Sequence, residues 1–134
     1  MKLLRDVQTR HMLTVSPGNT LHHVARLMAD RDVGSAVVIA DEKIVGIVTE
    51  RDLLRAAGKG LDFATATTAD VMTTDVVAGE PGWDILRAIR TMTEGGFRHL
   101  LVVDAEDDPV GIVSVRDLME TMAAMVQDEA SDSA

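Results

Sequence analysis

Apolar positions along this chain follow two rhythms that alternate. Leu21, Val24, Ala25 and Met28 recur at helical spacing and predict a helix over about residues 20–31. Thr20 is its candidate N-cap, with Pro17-Gly18 turning the chain just before it. Ala36-Val37-Val38-Ile39 is a short, wholly apolar run, as expected of a buried strand. Asp41-Glu42 makes a turn, Ile44 to Val48 reads as a second strand, and Thr49 opens a helix to about Ala57 that Gly58 ends. The pattern then recurs. Ile85, Ala88, Ile89 and Met92 predict a helix closing near Gly95-Gly96. Strands follow at Leu100–Val103 and Val110–Val113 around an acidic turn, and a last helix runs from about Val115 to Val126. Val15 and Val76-Val77 are candidate lead-in strands. The order is β-α-β-β-α, twice, in an α/β (α+β) chain.

The repetition reaches individual residues. Asp6-Val7 returns as Asp70-Val71, Pro17-Gly18 as Pro81-Gly82, and Arg26-x-Met28 as Arg90-x-Met92, each 64 residues later. Gly46-Ile47-Val48-Thr49-Glu50-Arg51-Asp52-Leu53 returns as Gly111-Ile112-Val113-Ser114-Val115-Arg116-Asp117-Leu118. Two long units are too few for a solenoid, and two copies are expected to pack about a pseudo-two-fold axis. The repeats span about 6–57 and 70–126, joined by a Gly/Ala/Thr-rich connector over 58–69. The acidic tail at 127–134 is expected to fray. At 134 residues the whole chain has the length of one domain, so the halves are expected to share a core.

Thr49-x-x-Asp52 and Ser114-x-x-Asp117 match a helix capping box with Asp in place of the usual Glu. The same geometry suits a ligand. A helix N-terminus offers unpaired N–H groups and a positive dipole to an anion. The cap hydroxyl can donate to a phosphate oxygen, and the carboxylate one turn in can accept from the vicinal hydroxyls of a ribose. Gly46 and Gly111 leave room for a flat group to approach the strand. The whole string occurring twice favours function over capping alone.

With these residues the chain resembles a tandem pair of CBS domains, the Bateman module, over nearly its whole length from about Asp6 to Met122. The family's Gly-h-x-Thr/Ser-x-x-Asp pattern is met by Gly46, Thr49 and Asp52 and again by Gly111, Ser114 and Asp117. Asp6-Val7-Gln8-Thr9 and Asp70-Val71-Met72-Thr73 resemble its lead-in, and Phe97 to Asp104 its strand signature. Gln8 stands where Met is usual, and Leu101 where Pro is usual. The resemblance implies a regulatory module binding AMP, ADP, ATP, NAD(H) or S-adenosylmethionine, with no obligatory cofactor. It implies that Asp52 and Asp117 hold ribose and that Thr49 and Ser114 hold phosphate. Backbone near Val15, Ala36, Val77 and Leu100 would line the adenine. Arg51, Arg116, Arg98 and His99 are further phosphate candidates, against the simpler reading of surface arginines and a half-buried histidine. Arg98-His99 has only Gly34-Ser35 as its counterpart, so the two sites are expected to differ. In this family such strand residues reach across the pseudo-two-fold, which would let Arg98 serve the site of Asp52.

Composition narrows the alternatives. A net charge of −9 and an aromatic content of 2% argue against general nucleic-acid binding. No cysteine is present, so no disulfide or thiolate zinc site forms. His22 and His23 are adjacent, point about 100° apart on a helix, and do not share a metal; His11 and His99 lie far off in sequence. No apolar run spans a bilayer and no signal peptide is visible, so a cytoplasmic protein is expected. No nucleophile–base pair or phosphate loop marks an enzyme. Met119, Met122 and Met125 read as core, with part of the stripe available for a dimer contact. Apolar residues on the helices after each motif predict a homodimer. Trp83 reads as a hydrophobic staple or an interface anchor. An adenosine sensor acting on a separate protein is the leading reading. An interaction module without ligand comes second, and a metal or nucleic-acid module third.

Overall fold

A computed structural model describes residues 2–7 and 12–133, with the side chains of 131–133 excepted. The elements are α1 (Leu4–Val7), β1 (Thr14–Val15), α2 (Leu21–Arg31), β2 (Ser35–Ala40), β3 (Lys43–Thr49), α3 (Glu50–Gly58) and α4 (Thr68–Val71). Then come β4 (Ala78–Gly79), α5 (Ile85–Gly95), β5 (His99–Val103), β6 (Pro109–Ser114) and α6 (Val115–Ser133). They form two compact units, one of His11–Val76, the other of Val77–Ala134 with Met1–Arg10.

Each unit holds one three-stranded sheet, ordered β1-β2-β3 and β4-β5-β6. The first strand pairs parallel with the second, which pairs antiparallel with the third. Parallel pairing needs a crossover, which α2 and α5 supply. Both helices are capped by a side chain, α2 by the expected Thr20 and α5 by Asp84. Thr20 accepts from the His23 N–H at 3.2 Å and Asp84 from the Arg87 N–H at 2.8 Å. α5 ends at Gly96 with φ 72°, the left-handed turn that glycine permits. The β2–β3 hairpin turns through Asp41 and Glu42, both at positive φ (51° and 64°). The β5–β6 turn is held by Asp104, whose Oδ1 accepts from the Glu106 and Asp108 N–H groups at 3.0 Å.

Buried apolar residues form two clusters, where the chain's length suggested one shared core. One gathers Leu13, Val15, Val24, Met28, Ala36, Val38 and Val48; the other gathers Leu4, Ile85, Ala88, Met92, Leu100, Val102, Val113 and Leu118.

The compact units do not coincide with the sequence repeats, because the lead-ins are exchanged. α1 precedes the first repeat but docks in the unit of the second. The Leu4 N–H donates to the Trp83 carbonyl (2.9 Å), the Arg5 N–H to the Pro81 carbonyl (3.0 Å), and Leu3 bridges Asp84. α4 docks in the unit of the first repeat through the same bonds 64 residues on. The Thr68 N–H donates to the Asn19 carbonyl (2.8 Å), the Ala69 N–H to the Pro17 carbonyl (3.0 Å), and Thr67 bridges Thr20. Leu4 and Thr68 are both wholly buried. Thr68 satisfies its hydroxyl on the Asn19 carbonyl at 2.9 Å.

Five local readings change. The connector ends in α4, because Thr67 and Asp70 cap a helical turn (Asp70 Oδ2 to Thr67 N, 2.8 Å). The second lead-in strand is Ala78–Gly79, not Val76-Val77, because its register follows Val15: Val15 pairs with Val38, and Gly79 with Val102. α3 runs through Gly58; the left-handed residue is Gly60, at φ 79°. α6 continues to Ser133 instead of ending at Val126, since no Gly or Pro interrupts the Ala-rich stretch. Met119 and Met122 are exposed, and of the stripe only Met125 packs on the core. Trp83, directly before the Asp84 cap, packs against the core cluster, with the Arg87 guanidinium 4.0 Å from its ring centroid.

The exchange also explains Gly46. The Ile47 N–H donates to the Thr73 carbonyl at 3.0 Å and the Thr73 N–H to the Ile47 carbonyl at 2.9 Å. A Cβ on Gly46 would lie 2.8 Å from the Thr73 oxygen and 2.9 Å from the Met72 sulfur. The space expected for a ligand holds the chain's own backbone. Gln8 and Thr9, which correspond in sequence to Met72 and Thr73, lie outside the described residues. Gly46→Ala should lower stability by about 1–3 kcal/mol, read by urea unfolding. Gly18→Ala, with nothing within 4 Å of the added carbon, should leave the midpoint nearly unchanged. Equal midpoints would reject the close approach.

Candidate functional site

Each motif lies where the last sheet strand ends and a helix begins. Thr49 closes β3 and caps α3 from an extended conformation, φ −122° and ψ 166°. Its N–H donates to Asp52 Oδ2 at 2.8 Å and its hydroxyl to the same oxygen at 3.1 Å, while the Asp52 N–H reaches Thr49 Oγ1 at 3.4 Å. Ser114 closes β6 in the same way. Its N–H donates to Asp117 Oδ2 at 2.9 Å, and the Asp117 N–H to Ser114 Oγ at 3.1 Å. The capping reading is therefore correct at both motifs. Those bonds engage Oδ2 of each aspartate.

The cap alone is not distinctive here. Asp70 closes the same box on Thr67, and Asp6 accepts from the Leu3 N–H at 3.0 Å. Two features set the motif pair apart. Thr49, Asp52, Ser114 and Asp117 are all half-buried, whereas Asp6 and Asp70 are exposed. The motif caps also begin helices of 9 and 19 residues, whereas α1 and α4 have 4 each. A longer helix brings a fuller macrodipole to its N-terminus, and partial burial weakens solvent screening there.

The neighbouring strand completes each corner. Ser35 is the cross-strand partner of Thr49, and His99 of Ser114. The Glu50 N–H donates to the Gly34 carbonyl at 3.0 Å, and the Val115 N–H to the Arg98 carbonyl at 2.9 Å. Gly34-Ser35 and Arg98-His99 are thus equivalent positions, each beside the cap of its own repeat. Arg98 is exposed, His99 half-buried, Arg51 half-buried and Arg116 exposed.

Val15, Ala36 and Leu100 are 6%, 1% and 0% exposed, so their side chains belong to the core and only their main chain can meet a ligand. Val77 differs: it precedes β4 and is 46% exposed. The residue equivalent to Val15 is Gly79, which the 64-residue spacing applied to Val15 would have found. The candidates form two groups. Val15, Ala36, Thr49, Arg51 and Asp52 lie in one unit; Val77, Arg98, His99, Leu100, Ser114, Arg116 and Asp117 lie in the other. His22 and His23 are exposed on α2, and His11 lies outside the described residues. Among the described residues no three His or acidic side chains converge as metal ligands, and no helix is long and apolar enough to cross a membrane.

The family model of the CBS domain matches this chain twice, over residues 4–59 and 69–124. The chain belongs to the CBS domain family. This CBS pair is 34% identical over 119 residues to the CBS domain-containing protein YhcV of Bacillus subtilis, covering 88% of this chain and 84% of that one. It is 33% identical over 110 residues to inosine-5′-monophosphate dehydrogenase of Thermoplasma acidophilum. That match covers 82% of this chain but 21% of the enzyme. Among solved structures it is similar to the CBS domain protein PAE2072 from Pyrobaculum aerophilum, complexed with AMP. The TM-score is 0.80 at 26% identity, over 87% of this chain and 89% of that one.

Because the motif hydroxyls cap helices, Thr49→Ala and Ser114→Ala should each lower the stability of ligand-free protein by about 0.5–2 kcal/mol, measured by urea unfolding. Thr49→Ser, which keeps the oxygen, should cost far less. Alanine variants as stable as the parent would remove the capping role.

Proposed function

We propose that this CBS pair is a regulatory module that binds an adenosine-containing ligand and passes the change to a separate protein. The observation that carries the reading is the pair of half-buried Thr/Ser-x-x-Asp helix starts. Asp52 and Asp117 hold ribose hydroxyls. Thr49 and Ser114 offer their hydroxyls, and the helix N-termini their dipoles, to phosphate. Main chain at Val15, Ala36 and Leu100, with Val77 at the strand entrance, lines the base. Arg51 and Arg116, one residue before each aspartate, supply positive charge. The AMP in the structure of PAE2072 supports this class of ligand. AMP, ADP, ATP, NAD(H) and S-adenosylmethionine all carry the adenosine these positions recognise. The site binds rather than transforms.

Bound at 100 times its dissociation constant, one ligand adds about 2.7 kcal/mol to stability, which is roughly several degrees in melting temperature for a chain of this size. A thermal-shift panel of adenosine compounds should show that rise with at least one member. Asp52→Ala with Asp117→Ala, referred to its own baseline, should lose it. A full response from the double variant would reject the ribose assignment. No response from the parent to any member would favour a module for interaction alone.

Arg98 makes the two sites unequal. A charged hydrogen bond to phosphate contributes about 1.5–3 kcal/mol, and Gly34 has no side chain to match it. Calorimetric titration should resolve two AMP affinities at least about tenfold apart, with plain adenosine discriminating less and Arg98→Ala narrowing the gap. Two identical AMP sites in the parent would exclude Arg98.

The module also works as a homodimer. Leu54 on α3 is 73% exposed; on α6, Met119, Met122 and Val126 are 64%, 38% and 64% exposed. These apolar side chains lie on the helices that follow the motifs, and a second copy would remove them from water. Light scattering at micromolar concentration should give twice the chain mass of 14.4 kDa; the single-chain mass would refute the dimer.

A further inference from the structure

We propose, on the basis of that adenosine-binding function, that the corner at Thr49 selects a ligand whose 5′ substituent carries no negative charge, and that the Ser35 hydroxyl contacts that substituent. Buried polar side chains are satisfied as a rule. Thr68, wholly buried, places its hydroxyl on the Asn19 carbonyl at 2.9 Å. Ser35 differs. It is 6% exposed, and among the described residues no hydrogen bond engages its hydroxyl. Among the same residues the fully enclosed polar side-chain atom without a partner is Trp83 Nε1, so the Ser35 oxygen keeps access to the surface. Ser35 begins β2 and lies directly opposite Thr49 on β3. Partners opposite each other on an antiparallel ladder share a face of the sheet, which sets the hydroxyl beside the Thr49 helix start. The Glu50 N–H, bonded to the Gly34 carbonyl at 3.0 Å, ties strand to helix there. A hydroxyl held in that place suits a partner supplied from outside the chain.

Charge separates the two corners in the same sense. The first turn of α3 carries Glu50 and Asp52; that of α6 carries Asp117, with Val115 standing where Glu50 does. Counting the cap turn and the strand residues beside it, the first corner has two acids and one base, Arg51. The second has one acid and two bases, Arg98 and Arg116. A carboxylate at the first helical position cancels part of the dipole that draws an anion. Phosphate is therefore opposed at Thr49 and favoured at Ser114. A serine hydroxyl both donates and accepts, which suits an uncharged 5′ group.

Calorimetric titration of the full chain with AMP, adenosine and 5′-deoxyadenosine tests this. Asp117→Ala isolates the first corner and Asp52→Ala the second. Adenosine should bind the first corner at least as tightly as AMP does, while the second should prefer AMP by at least about tenfold. In the Asp117→Ala background, Ser35→Ala should weaken adenosine binding about three- to tenfold, the loss of one uncharged hydrogen bond. It should leave binding of 5′-deoxyadenosine, which lacks the 5′ hydroxyl, unchanged. Glu50→Val in the same background should strengthen AMP binding about two- to fivefold. In ligand-free protein Ser35→Ala should not lower the urea midpoint, because the hydroxyl has no protein partner to lose. A lowered midpoint, equal losses for adenosine and 5′-deoxyadenosine, no loss for either, or AMP preferred as strongly at the first corner as at the second would each overturn the proposal and leave the adenosine function standing. A parent chain that binds none of the three compounds would reject that function and this proposal together.

Discussion

Everything in this molecule depends on an exchange of backbone between its repeats. A sheet of three strands, one only two residues long, is a small thing to build a core on. Each unit includes the segment that leads into the other repeat. The contact is made mostly by main chain. The Leu4 and Arg5 amides reach the Trp83 and Pro81 carbonyls, and the Thr68 and Ala69 amides reach the Asn19 and Pro17 carbonyls. Main-chain bonds tolerate sequence drift, which is how a fully buried Leu4 in one unit corresponds to a fully buried Thr68 in the other. Leucine needs only an apolar seat. Threonine needs a partner for its hydroxyl and finds one in the Asn19 carbonyl.

That exchange gives the conspicuous glycine its role. Gly46 belongs to the motif by sequence, yet what approaches it is the Thr73 carbonyl of the incoming segment. The same segment pairs with Ile47 on β3, the strand that ends in the Thr49 cap. One continuous piece of main chain thus ties the lead-in to the helix start that Thr49 caps. The cap orients Asp52 by holding one of its oxygens. In the proposed function, capping and ligand recognition are two uses of a single carboxylate.

The helices leaving the motifs have two sides with different duties. On α6 the inner side, through Leu118 and Met125, joins the core, while Met119, Met122 and Val126 remain outside. Methionine suits a surface that must adapt, being unbranched and polarizable.

The amino-acid pattern by itself determined the element order, the two helix crossovers, the hairpins and the doubled motif. All of these rest on local periodicity and on residues such as Thr20 and Gly96 that act on their immediate neighbours. It also placed Thr49, Asp52, Ser114 and Asp117 at helix starts, because a capping box spans only four residues. It did not reveal α4, whose single turn leaves too short a period to read. Nor did it place Gly79, whose role follows from strand register. Only the tertiary structure decided which lead-in completes which sheet, why Gly46 is glycine, and that Met119 and Met122 face outward. Each of these is a contact, or the lack of one, between segments far apart in the chain, and spacing along a sequence carries no direct record of which distant backbone will fill a given space.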